Sequence, residues 1–154
     1  MALSDRLQSD LRVAMKARDT DAVATLRLAV AALTNARVAE GRRADLTEAE
    51  TLEVLAREAK KRAEAAHAYR AAGRQELADK ELRELAVLRR YLPEQLDEQQ
   101  LHAIVDEAIA QTGASDPADL GRVMAVVMPR VKGRADGRQV NAIVRGRLGA
   151  PVGR

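Results

Sequence analysis

The chain contains no cysteine, phenylalanine or tryptophan, and Tyr69 and Tyr91 are its only aromatic side chains. Without cysteine it has no disulfide, no thiol nucleophile and no thiolate-ligated metal, which suits a reducing cytoplasm. With so few aromatics it has almost nothing on which to stack unpaired bases. Ser4, Ser9 and Ser115 are the only serines and His67 and His102 the only histidines, so nucleophile–base pairs are scarce. No nucleophile elbow, phosphate-cradling lysine loop or dinucleotide fingerprint occurs. No uninterrupted apolar run approaches the roughly 18–20 residues that span a bilayer. The opening MALSDRLQSD lacks a basic segment followed by an apolar one, so no secretory signal is expected. These absences lead us to expect no catalytic residues, no cofactor, no metal and no membrane partner.

What is present favours helix. Of 154 residues 47% are hydrophobic, enough for a core. The Ala, Leu, Val, Glu and Arg alphabet propagates helices and gives little to strands. Leu7, Leu11 and Met15 share one face of a helix starting after Ser4, and Val23, Leu26, Val30 and Leu33 form a second stripe that ends before Gly41. Thr47 and Glu50 make a capping box for a helix reaching Ala72, with Gly73 as its stop. A further helix carries Leu77, Leu82, Leu85, Leu88 and Leu92. So short a connection predicts a long antiparallel hairpin, the Leu ridge lying on Ala56, Ala59, Ala63 and Ala66. Pro93 marks a boundary. Beyond it, Asp97 and Gln100 cap a helix faced by Leu101, Ile104, Val105, Ala108 and Ile109. Ser115-Asp116-Pro117 opens another, with Leu120, Val123, Met124, Val127 and Met128 inside and Pro129 expected to end or kink it. A last helix after Asp136 bears Val140, Ile143, Val144 and Leu148. The expected class is all-α: an N-terminal helical lobe with a long hairpin over 1–92, a small C-terminal three-helix bundle over 93–150, and a frayed tail at 151–154.

Two constellations invite a chemical reading and fail it. Glu64-Ala-Ala-His67 has the spacing used by di-iron bundles, but those need a second copy, and the residue three before His102 is Gln99. The run Arg57 to Arg62 resembles a nucleic-acid patch. Glu53→Arg57 and Glu58→Arg62, repeated as Glu76→Lys80 and Asp79→Arg83, are i,i+4 pairs that favour an ion-paired surface instead.

The charge distribution is more informative than the net charge of +3. Residues 94–119 hold seven acidic and no basic side chains, whereas 120–154 hold eight basic ones and a single carboxylate, Asp136. Lys132, Arg134 and Arg138, flanked by Arg130, Arg145 and Arg147, surround a loop containing Gly133 and Gly137. There the backbone can approach a ligand and a helix N-terminus can face an anion. Phosphate binding and internal pairing with the preceding acidic helix are both open readings of this segment. Asp136 and Asn141 read as architectural, the first as an N-cap and the second as an amide bridging the loop to a neighbouring helix.

The segments GRVMAVVMPRVKGRADGRQVNAIV, RRYLPEQL and LQSDLRVAMKARD resemble the GatB/YqeY family, specifically its stand-alone YqeY-type members, over about residues 1–149. A related domain forms the C-terminal tail of the GatB component of the glutamine-dependent aspartyl/glutamyl-tRNA amidotransferase. The resemblance implies a two-lobed helical fold and a tRNA-related role, with Lys132, Gly133, Arg134, Ala135, Asp136, Val140 and Asn141 matching the tail motif. It supplies no catalytic residue, so a carbon–nitrogen ligase relation with glutamine as amido donor rests on homology alone. The expected partners are tRNA or another structured RNA and a protein of the tRNA-charging machinery. The competing expectation is a helical protein-interaction module that binds no nucleic acid.

Overall fold

The structure, a computed structural model, describes residues 1–41 and 43–149. It contains seven α-helices and one 3-10 turn, with no strand among the described residues. The chain divides into two compact units, Met1–Leu92 and Pro93–Arg154. The frayed tail expected for 151–154 lies outside the described residues.

The first unit holds α1 (Leu3–Ala17), α2 (Thr20–Ala39), α3 (Glu48–Ala71) and α4 (Gln75–Arg89). Ser4 does not cap α1; the helix begins two residues earlier than expected, at Leu3, whose N–H donates to the Glu48 carboxylate at 3.0 Å. Asp19 caps α2 through the Ala22 N–H. The Thr47–Glu50 box is formed in both directions, at 3.2 and 2.7 Å. Each apolar stripe is rotated slightly from its expected line. Ala14 is buried while Met15 is 48% exposed, because 3.6 residues per turn carries the face from Leu7 through Leu11 to Ala14. On α2 the buried line is Ala22, Thr25, Leu26 and Ala29, with Val23, Val30 and Leu33 beside it. Leu82 stands outside the ridge, and Ala78, Leu85 and Leu88 fill it.

Ion pairs also depart from simple spacing. Glu58–Arg62 forms, at 3.5 Å. Arg83 reaches Asp21 on α2 at 3.1 Å instead of Asp79, whose carboxylate accepts from Gln75. Tertiary partners outcompeted the helical neighbour. One helix is more apolar than its sequence first suggests: an 18-residue window of α2 has a mean hydropathy of 1.3, enough by length and composition to cross a membrane. Arg27 and Arg37 interrupt every continuous run within it, and Leu26 and Ala29 enter the unit's core.

At the end of α4 the chain anchors to α1. The Tyr91 hydroxyl donates to Asp10 at 2.5 Å, and the Arg6 guanidinium lies 4.7 Å from the ring centroid. Burial first, then the Asp10 hydrogen bond, push the phenol above its ordinary range. The unfolded phenol ionises near pH 10 (about the reference value), while the folded one keeps its proton. Its contribution is therefore complete below that pH and lost as pH rises toward the folded value. Tyr91→Phe should cost about 1 kcal/mol at neutral pH, and that difference should shrink in urea titrations run above about pH 10. A constant difference across that range refutes the assignment.

The second unit is built on α5 (Glu98–Thr112), a 3-10 turn (Pro117–Asp119), α6 (Leu120–Val131) and α7 (Gly137–Arg147). Asp97 and Gln100 close a second capping box at 2.7 and 3.0 Å. Pro117 starts the 3-10 turn, not the α-helix itself, with Asp116 capping the Ala118 N–H. Pro129 neither ends α6 nor stands at its end: the helix continues to Val131. Proline withholds the bond to the Ala125 carbonyl and crowds it with its ring, and Ala125 is an exposed position where that carbonyl can turn to water. The core is aliphatic, with Leu101, Val105, Val123, Val127, Val140 and Val144 almost fully buried.

Candidate nucleic-acid interface

Residues 132–136 connect α6 to α7, and this loop is held from below. The Leu96 N–H donates to the Arg134 carbonyl at 2.9 Å, the Gln95 amide to the Gly133 carbonyl at 3.0 Å, and Arg134 Nε to the Glu94 carbonyl at 3.3 Å. The segment just before α5 thus clamps the loop by backbone and side chain together. Gly133 sits at φ +76°, a left-handed conformation natural to glycine, while Gly137 is the first residue of α7. A Cβ on Gly137 would meet only Met128 Cε, at an ordinary 3.8 Å. Gly133→Ala should therefore cost about 1–2 kcal/mol. Gly137→Ala should be neutral or stabilising by up to about 1 kcal/mol, since the position is already helical. Melting curves of the two variants check the contrast; equal effects would sink it.

Asp136 caps α7, accepting the Arg138 N–H at 3.0 Å. Asn141 does not bridge the loop to another helix. Its amide oxygen accepts from Arg145 Nε at 2.7 Å, one turn along the same helix. The amide therefore orients Arg145, and Arg138, Asn141 and Arg145 line one side of α7 at i, i+3 and i+7.

The basic side chains fall into two groups. Arg130 pairs with Glu107 at 3.1 Å and Arg147 with Asp106 at 2.8 Å, Arg147 also lying 3.1 Å from His102 Nδ1. Arg122 pairs with Asp119 at 2.9 Å. The Ser115 N–H, and after it Arg122, hold the Asp119 carboxyl below the usual carboxylate range, so that partner stays charged. The acidic helix thus neutralises part of the basic segment. Arg134, Arg138 and Arg145 have no carboxylate partner among the described residues: Arg134 and Arg145 bond to neutral oxygens, and the Arg138 side chain bonds to none. Lys132 is exposed on the same loop.

Two of the three segments that carry the family resemblance, RRYLPEQL and GRVMAVVMPRVKGRADGRQVNAIV, contribute residues 94–96 and 133–134 to this clamp. The sequence matches the family model described as Yqey-like protein over residues 4–148. The chain belongs to that family. No curated protein matches it. The Yqey-like match takes in both units, so loop, clamp and α7 all fall inside it. The contribution of Glu94 and Gln95 was not legible as contact chemistry, because each bond ends on a backbone carbonyl, that of Glu94 itself or that of Gly133, and every residue possesses one. Glu64 and His67 are exposed positions on α3.

Proposed function

We propose that this Yqey-like chain is a non-catalytic accessory protein of the cytoplasm that binds structured RNA, tRNA foremost, through the second unit. Its relation to glutamine-dependent tRNA amidotransferase is one of family kinship. Arg134, Arg138 and Arg145, with Lys132 beside them, take phosphates; Arg130 and Arg147 flank the surface with charges already shared with Glu107 and Asp106. One observation supports the reading: three guanidiniums with no carboxylate partner among the described residues stand on one clamped loop and the helix it opens. Phosphate contacts position without reading sequence, and the scarcity of aromatics removes base stacking. Binding is therefore weak, in the micromolar range of non-specific complexes at physiological salt, and its selectivity comes from RNA shape or a shared partner.

Anisotropy titration of labelled tRNA at two salt concentrations tests this. Arg134/Arg138/Arg145→Ala should weaken binding and flatten the salt slope by about two to three units. Arg130/Arg147→Ala should flatten it less, because those charges are already compensated. Equal affinity and slope for wild type and the triple variant, with the fold intact, would leave a protein-interaction module as the better reading.

A further inference from the structure

α2 is apolar on two faces, and among the described residues only one of them enters the core of its own unit. Ala22, Leu26 and Ala29 enter the core. On another side Leu28 is 48% and Val38 65% exposed, and Ala31 is an exposed position between them. Between α2 and α3, Leu28, Ala31, Ala32 and Ala36 form one wall of an open groove of about 560 Å³, with Val54 of α3 buried within it. The groove runs along two helices, so it suits a rod with a seam of side chains better than a small molecule needing enclosure. Asn35 is the one polar residue of the α2 wall. In a helical seam such a residue fixes register.

The other wall decides what fits. It carries Arg57 and Lys61 with Glu58 between them. The Glu58 carboxylate is shared by Lys61 at 3.2 Å and Arg62 at 3.5 Å, whereas Arg57 has no ion-pair partner among the described residues. A second copy presenting the Leu28 side of its α2 would bring Arg27 toward that wall, Arg37 being held by Asp45 at 3.1 Å. The single acid of α2, Asp21, is already bound to Arg83.

We propose that the groove between α2 and α3 docks an amphipathic helix of a different protein, with aliphatic anchors on one edge and carboxylates along the flank that meets Arg57 and Lys61. The anchors replace water over Leu28 and Val54, and the acidic flank neutralises Arg57. This surface lies in the first unit, and the proposal does not depend on RNA binding by the second.

The test uses two synthetic helices of about 18 residues, long enough to hold their fold. They share one Leu/Ala seam, one flanked by glutamates and the other by lysines, and each is titrated into the isotopically labelled full chain. The glutamate peptide should shift the amide resonances of Leu28, Ala31, Ala36 and Val54, binding about tenfold or more tighter than the lysine peptide. Arg57→Glu/Lys61→Glu should reverse that preference, and Ala31→Glu, at an exposed position, should abolish binding without loss of helicity. Equal responses to both peptides, or resonance shifts confined elsewhere, overturn the proposal. So does a concentration-dependent dimer that Ala31→Glu disrupts, which would give the groove to a second copy. Binding to phosphatidylserine vesicles through Leu28 while both peptides stay inert would give it to a lipid surface.

Discussion

Replacing Arg62 by methionine should lower stability by about 3 kcal/mol, read as an earlier urea midpoint with unchanged slope. Arg62 is the cation set among Glu58, Glu81 and Glu84 where α3 faces α4, 3.5, 3.7 and 3.1 Å from their carboxylates. Glu84 is 6% exposed. The Arg62 Nε–H has no aligned acceptor and Glu81 Oε2 has no donor, so the attraction here is coulombic more than hydrogen-bonded. Removing the guanidinium strands a buried carboxylate, the costly half of any broken ion pair. Arg62→Met/Glu84→Leu should recover most of the loss, since an apolar pair of similar volume avoids desolvation altogether. A loss below about 1 kcal/mol in the single variant would mean that water already reaches the cluster and screens it.

Leu101→Ala should cost about 2–5 kcal/mol and unfold the second unit first. Leu101 is 1% exposed and belongs to a core otherwise dominated by valines, whose branched side chains have few rotamers with which to close a cavity. A unit of this size has little stability to lose. Circular dichroism in urea should show an early transition that the wild type lacks. Leu28→Ala, truncating a leucine of the same size at a half-exposed position, should stay within about 0.5 kcal/mol. Similar losses in the two variants would contradict the core assignment.

Helix identity and capping were legible from sequence because they are local. Thr47–Glu50, Asp97–Gln100 and Asp136 cap as their spacing predicts. Where several helices compete for one face, local reasoning slipped by a residue, as at Met15 against Ala14. It also assigned Arg83 to its helical neighbour Asp79 when a carboxylate on α2 lay within reach. Pro129 does not end α6, which runs on to Val131, and the carbonyl it leaves without a backbone donor, that of Ala125, sits at an exposed position. At the candidate interface, sequence located the basic residues but not their division. Whether Arg147 or Arg145 keeps its charge free is decided by Asp106, which lies 41 residues from Arg147 in the chain. Charge counting cannot see that pairing.

The clamp beneath the basic loop sets where a minimal fragment of the second unit can begin. By helix boundaries alone, such a fragment would start at the Asp97 cap. That cut would delete the Glu94 carbonyl, the Gln95 amide and the Leu96 N–H, the three groups that hold residues 133 and 134 from the far end of the unit. The loop would then be tethered only by its own helices, and its arginines would sample orientations that the intact chain forbids. The functional edge of this unit therefore lies at Glu94, three residues before the cap that opens its first helix.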